Sequence, residues 1–301
     1  MQKITPSLWF DKSAEEAMNF YASIFSNAKI ISIERYPEEV PAEFMQGMEG
    51  RVLTGIFELE GYRFMALDGG PQFTFNPSIS FFVNCSDREE INRLWQALSE
   101  GGETLMPLDA YPFSEWYGWI QDKYGVSWQL ILASGEVEQK IFPSMMFVGD
   151  QCGRAEEAIN FYASVFDKSN VASLVRYEAG SEPQKEGSLM YGDFKLHDQL
   201  FAAMDSALDH GFTFNEAISF YVECQDQAEV DRLWEKLSAV PEAEQCGWLK
   251  DQYGLSWQIV PKQLGQFLSN PDREKADRAM QAMLQMKKLD IATLQKAFNG
   301  G

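Results

Sequence analysis

Histidine is nearly missing from this chain. His197 and His210 are the only two in 301 residues, which leaves little imidazole for a transition-metal site or for acid–base work. Cysteine is scarce as well. Cys85, Cys152, Cys224 and Cys246 are widely spaced and form no C-x-x-C pair, a poor zinc pattern and a weak disulfide framework. They read as reduced, buried thiols. Positive charge is in deficit, with a formal net charge of −20. The basic footprint that phosphate backbones require is therefore lacking, and no nucleic-acid partner is expected. No apolar run approaches the roughly 18 residues of a membrane span, and MQKITPSLWF has no apolar signal-peptide core. The expected setting is cytoplasmic, without a membrane partner. No G-x-G-x-x-G follows a strand, and no G-K-[ST], H-E-x-x-H or G-x-S-x-G occurs. Phosphate-cradle nucleotide binding, zincin chemistry and α/β-hydrolase chemistry are unsupported. A methyltransferase built on a glycine-rich nucleotide turn is unsupported for the same reason.

What is present is a chain that is 45% hydrophobic and 14% aromatic, the composition of a packed globular protein. At roughly 100–200 residues per domain it has room for about two domains. It is one text written twice. A-E-E-A at 14–17 returns at 155–158, and N-F-Y-A-S at 19–23 returns at 160–164. F-N-P-S-I-S-F-F at 75–82 returns as F-N-E-A-I-S-F-Y at 214–221. D-K-Y-G-V-S-W-Q-L at 122–130 returns as D-Q-Y-G-L-S-W-Q-I at 251–259. The spacing before this last phrase shows that the first copy carries about ten extra residues near 103–117, around Y-P-F-S-E-W-Y, read as a longer loop.

Each copy reads as two halves of one pattern, strand-helix-strand-strand-strand. In the first half, Ser13-x-x-Glu16 predicts a capping box, and Ala14, Ala17, Met18, Tyr21 and Phe25 follow at helical spacing. In the second half Asp87, with Glu90 in the capping-box position, opens a helix whose apolar face is Ile91, Leu94, Trp95 and Leu98. Asp122 to Gly125 suits a type I turn. The expected domains are 1–135 and 136–262, joined through A-S-G-E-V-E-Q-K, followed by a helical tail over 263–301 with Ala276, Ala279, Met280 and Met283 on one face.

Four strand-helix-three-strand modules, F-Y in each first helix and G-x-S-W-Q in each last strand, resemble the vicinal-oxygen-chelate superfamily, the fold of glyoxalase I, extradiol dioxygenases and bleomycin-binding proteins. More narrowly, A-E-E-A-x-N-F-Y, F-N-x-x-I-S-F, C-G-W-L-K-D-x-Y-G-x-S-W-Q at 246–258 and A-M-L-Q-M-K-K-L-D-I-A at 282–292 resemble a tandem PhnB-like protein. That subfamily often carries the label demethylubiquinone methyltransferase-like. The resemblance covers nearly the whole chain. It implies an α+β fold of two tandem glyoxalase-like domains, each of two βαβββ modules forming a curved mixed-sheet cup. It further implies that the tandem chain builds internally the pseudo-dimer that single-domain relatives form, with further homodimerisation open.

Metalloenzymes of the superfamily hold a divalent metal at the cup base with two histidines and a glutamate. Aligned on the turn, the glutamate position is Gln129 in the first copy and Gln258 in the second. The histidine positions carry Ser80 and Ser219 in one strand, and Pro6-Ser7 and Pro143-Ser144 in the other. The resemblance therefore implies cups without a standard metal site: no metal, no cofactor. Strand alternation places Gln129 opposite in facing to Trp128, so the tryptophan row is expected under the helices and the glutamine–serine row in the cup. The cup-lining candidates are Ser7, Trp9, Ser80, Phe82, Gln129, Ser144, Ser219, Tyr221 and Gln258. Further aromatics in the cup segments are Phe81, Trp116, Trp119, Phe220 and Trp248. The alternative for each glutamine is a buried amide satisfied by backbone groups.

No catalytic residue is assigned. Three readings remain. The favoured one is a metal-independent protein binding a small, partly apolar molecule. The second is a metal-dependent lyase, isomerase or dioxygenase with a non-standard ligand set. The third is an interaction protein with filled cups.

Overall fold

The computed structural model describes residues 2–37 and 46–301. The first module holds β1 (Ile4–Phe10), α1 (Ala14–Ile24), β2 (Ala28–Arg35), β3 (Val52–Leu59) and β4 (Tyr62–Asp68). The second holds β5 (Ile79–Cys85), α2 (Arg88–Ser99), β6 (Glu103–Tyr111), β7 (Ser114–Gln121) and β8 (Ser127–Leu132). The third holds β9 (Ile141–Phe147), α3 (Ala155–Val165), β10 (Asn170–Arg176), β11 (Leu189–Leu196) and β12 (Gln199–Asp205). The fourth holds β13 (Ile218–Cys224), α4 (Gln227–Leu237), β14 (Trp248–Lys250) and β15 (Ser256–Pro261). The tail forms α5 (Lys262–Leu268), α6 (Arg273–Leu284) and α7 (Ile291–Asn299). The chain divides into two compact units, Pro6–Ile218 and Ser219–Gly301, the latter including Lys3–Thr5.

Within the larger unit one sheet runs β10-β11-β12-β9-β5-β8-β7-β6. Its centre is the antiparallel pair β5–β9, with Ser80 opposite Ser144 and Phe82 opposite Phe142. The sheet thus joins the second half of the first repeat to the first half of the second. The segment between them feeds this pairing directly. Asn84 N donates to the Lys140 carbonyl at 2.8 Å, and Lys140 Nζ lies 2.5 Å from a Glu90 carboxylate oxygen. In the first module β1 runs parallel to β4, and β3 is antiparallel to both β4 and β2.

Alternation along β5 explains the two layers. Phe81 turns away from Ser80 and Phe82 and meets Phe64 at 5.0 Å and Trp128 at 5.5 Å between ring centroids. Tyr21 of α1 joins the same aromatic core, 5.3 Å from Trp128. Burial of side chains this size contributes about 1.5–3 kcal/mol each, so this layer anchors the first repeat. Gly55 on β3 lets α1 approach, because a Cβ there would sit 2.5 Å from Met18 Sδ.

Three local expectations are corrected. Ser13 makes no side-chain cap bond. The buried Asp68 carboxylate at the end of β4 takes the Ala14 N–H at 2.9 Å and the Val52 N–H at 3.1 Å instead. The second repeat does the same with Asp205, which accepts from Gly153, Ala155 and Leu189. Asp87, by contrast, accepts from Glu90 N at 2.8 Å, as its sequence predicts. The extra residues near 103–117 are not a loop. They lengthen the β6–β7 hairpin, which closes at Tyr111 opposite Ser114. Finally, the fourth module has two strands after its helix, not three.

Candidate functional site

The repeated D-x-Y-G-x-S-W-Q phrase turns the chain and aims two side chains in opposite directions. Gly125 N donates to the Asp122 carbonyl at 2.8 Å, closing the turn. One carboxylate oxygen of Asp122 accepts from the Tyr124 and Val126 amides. The other accepts from Tyr21 Oη at 2.7 Å and Trp128 Nε1 at 2.8 Å. Burial raises the pKa of this carboxyl, against the pull of its four donors. Asp251 repeats the arrangement, with Trp257 Nε1 at 2.8 Å. The tryptophan is therefore an anchor in the core, and the glutamine after it faces the other way.

On that other face, in the eight-stranded sheet, Gln129 Nε2 donates to Ser80 Oγ at 2.7 Å, and Tyr117 Oη donates to Gln129 Oε1 at 2.6 Å. Trp119 Nε1 donates to Ser127 Oγ at 2.7 Å. Ser144, Ser80 and Ser127 stand abreast on β9, β5 and β8. The Ser144 hydroxyl is buried and has no hydrogen-bond partner among the described residues. Phe82, Tyr117, Phe142 and Ala202 pack around this polar row, flanked by Met106, Tyr111, Trp119 and Met204. Burial pushes the Tyr117 hydroxyl far above its ordinary pKa, so it remains a donor. The result is a neutral polar strip set in aromatic and methionine side chains.

The candidates sort by sheet and not by repeat. Ser80, Phe82 and Gln129 from the first copy come together with Ser144 from the second. Ser7 and Trp9 lie on β1, outside this sheet. Ser7 Oγ is buried without a partner among the described residues, and Trp9 Nε1 donates to the Gly70 carbonyl. Ser219 and Gln258 pair with each other in the smaller unit at 2.9 Å, on the same face as Tyr221. Gln129 is a buried amide, but side chains satisfy it, not backbone. Of the further aromatics, Phe81 and Phe220 face the helix-side core, and Trp116 sits under Arg88 and donates to Asn92. Tyr117 and Phe142 are additional members of the floor. Tyr117 carries no motif of its own. Only its register opposite Ile131, beside the Trp119–Gln129 pair, brings it there.

The donor set at the superfamily's metal positions does not fit a transition metal. Ser80 and Gln129 are neutral; Gln129 Nε2 donates to Ser80 Oγ and Gln129 Oε1 accepts from Tyr117 Oη, whereas such ions take imidazole, thiolate or carboxylate. Among the described residues no three His, Cys, Asp or Glu side chains gather as a metal site. His210 is half-buried, with Nε2 2.7 Å from Ser206 Oγ. Burial raises the Cys85 and Cys224 thiols to about 12, which disfavours the thiolate form. A cleft of about 430 Å³ lies away from this floor, at the start of α1. Its Arg35 is held by Glu15 at 2.8 Å.

Paired βαβββ modules meeting edge to edge through β5 and β9 in one mixed eight-stranded sheet define the glyoxalase-like class of fold. A glyoxalase I variant from Zea mays shares it, with a TM-score of 0.51 over 86% of this chain and 94% of that one at 11% identity. A family model described as 3-demethylubiquinone-9 3-methyltransferase matches residues 2–131 and again 139–260. The chain belongs to that PhnB-like family, in tandem. The PhnB protein of Bacillus cereus is 48% identical over 44% of this chain and 100% of its own, with a TM-score of 0.41. A Staphylococcus aureus protein is 37% identical over 44% of this chain and 97% of its own, with a TM-score of 0.19. No curated protein compared with the chain matches it.

Proposed function

We propose that the eight-stranded sheet binds a small, partly apolar molecule bearing a hydroxyl or carbonyl, without a metal. One observation carries this reading. The Ser144 hydroxyl is buried and unpartnered beside the Ser80–Gln129 pair, on a floor of aromatic and methionine side chains. A buried hydroxyl left unpaired costs about 1–3 kcal/mol. A ligand oxygen would repay that cost, and apolar floors with a few polar groups are the usual ligand-site design. The methyltransferase wording of the family does not transfer to a chemistry here, because no glycine-rich nucleotide turn is present in the sequence. We further propose a reducing, cytoplasmic setting, which the four free cysteines support. Among the described residues no helix is long and apolar enough to cross a membrane.

The test is a titration with 1-naphthol, read by Trp119-sensitive fluorescence and by thermal shift. Saturable binding with a raised Tm is expected. Ser144→Ala should weaken it several-fold while leaving the apo protein as stable or more stable, by up to about 1 kcal/mol. The close packing of Phe82, Tyr117 and Phe142 favours the rival reading, a filled sheet face. No saturable binding of 1-naphthol would establish that rival, and saturable binding untouched by Ser144→Ala would place the ligand away from this face and overturn the proposal.

A further inference from the structure

We propose that the C-terminal helices α5–α7 are a releasable cover over a second binding face on the fourth module, equivalent to the floor described above and closed by the chain's own tail. The second-face part rests on the proposed function; the cover does not.

The face is identified by register. Ser219 pairs with Ser256, Tyr221 with Gln258 and Glu223 with Val260. The Gln258–Ser219 hydrogen bond reproduces Gln129–Ser80. Ser256 Oγ is buried without a partner among the described residues, where its counterpart Ser127 receives Trp119. The opposite face is occupied by Phe220 and Trp257, beneath α4. The tail sits on the polar side. Val260 clusters with Leu264, Phe267, Leu289 and Leu294, and Tyr221 packs against them.

The tail also takes the place of an element the fourth module lacks. In the second module β6 pairs along β7, at Met106 opposite Trp119 and Asp109 opposite Tyr117. The fourth module has no such strand after α4. Instead the Cys246 and Gly247 amides donate to the Met286 and Lys287 carbonyls, both at 2.8 Å. Gln227 clamps the same segment, giving its Nε2 to the Leu289 carbonyl and taking the Ile291 N–H.

Its attachment is uneven. α5 buries Leu264 and Phe267 and the link before α7 buries Leu289, but α6 buries only Ala276 and Ala279 fully, and α7 only Leu294, whereas α4 alone buries Val230, Leu233 and Leu237. The Lys287–Glu244 and Lys288–Asp231 pairs are solvent-facing on the lysine side, and such pairs hold weakly. Segments with few buried apolar contacts open before the global core.

Hydrogen exchange on the full chain, read by peptide mass, tests the cover. Amides of 262–299 together with Cys246 and Gly247 should exchange as one group, at least about tenfold faster than those of Ser256–Ile259. Leu294→Ala should accelerate that group by a further tenfold or so and leave Ser256–Ile259 unchanged. Exchange of the tail only at the rate of Ser256–Ile259, in both proteins, overturns the cover. The second face is tested with 1-naphthol: Leu294→Ala should bind one more equivalent per chain than the parent. An unchanged stoichiometry, with the tail open, overturns the second face alone. No binding by either protein, with the tail open, sinks the proposed function and leaves the cover standing.

Discussion

At the scale of single residues, the molecule relies on buried polar atoms whose partners decide their worth. Tyr117 is the clearest case, since its hydroxyl is the donor to Gln129 Oε1. Tyr117→Phe should destabilise the chain by about 1–3 kcal/mol, measured as a drop in the urea midpoint with unchanged m-value. Asp205 gives a pH dependence. Burial raises its pKa, although backbone donors from Leu189, Gly153 and Ala155 pull the other way. A carboxyl held above its unfolded value keeps its proton longer in the folded chain. Between the unfolded value near 4 and the raised folded one, the native state binds more protons, so stability falls as pH rises. Asp205→Asn lacks this slope. The stability of the wild type relative to Asp205→Asn should therefore decline as pH rises from about 3.5 through the folded pKa, then level off. A flat difference across that range would show that the backbone donors outweigh burial.

At the scale of elements, matching sequence signals end in different devices. Ser13 and Asp87 both precede helices with a glutamate three residues on, yet only Asp87 caps with its side chain. Asp87→Ala should cost about 1 kcal/mol, and Ser13→Ala close to nothing, in the same thermal or chemical denaturation series. The signal at Ser13 was legible and its use was not. The donor group of α1 is claimed by Asp68, which lies 54 positions away on β4. The β6–β7 hairpin teaches the same lesson. Its extra residues read as a loop because they are an insertion relative to the second copy, and they include Pro107 and Pro112. The ladder tolerates them through register shifts between Met106 and Asp109 and between Asp109 and Tyr111. Tyr111 and Phe113 near its tip close on Tyr117 at 5.5 and 5.0 Å, adding aromatic contacts to the edge of the candidate site.

At the scale of the whole molecule, the consequence of duplication lies in how sheets are shared. β5 finds its antiparallel neighbour β9 across the repeat boundary. A first repeat expressed alone, residues 1–135, would leave the β5 edge and the Phe82 face uncovered. An open apolar edge is a template for pairing, so this fragment should self-associate as a dimer in light scattering. A stable monomer would mean that β5 does not require β9. The formal charge of −20 acts at this scale too. Self-repulsion opposes the compact state and is screened by salt. Raising sodium chloride from about 0.02 to 0.2 M should therefore raise the Tm of the full chain.

The sequence by itself determined the duplication, the four modules, the helices and the opposite facing of Trp128 and Gln129. These depend on local periodicity, turn chemistry and strand alternation, all contained within a few residues. Through family resemblance it also named Ser80, Phe82, Gln129 and Ser144, which the structure gathers on one face of one sheet. Tertiary structure alone decided that Ser144 of the second repeat stands beside Ser80 of the first, that Tyr117 completes the amide's hydrogen bonds, and that the tail lies over Tyr221 and Val260. Each of those depends on edges and faces meeting across long stretches of chain. Which edge pairs with which is set by competition among all the strands at once, and no local pattern records its outcome.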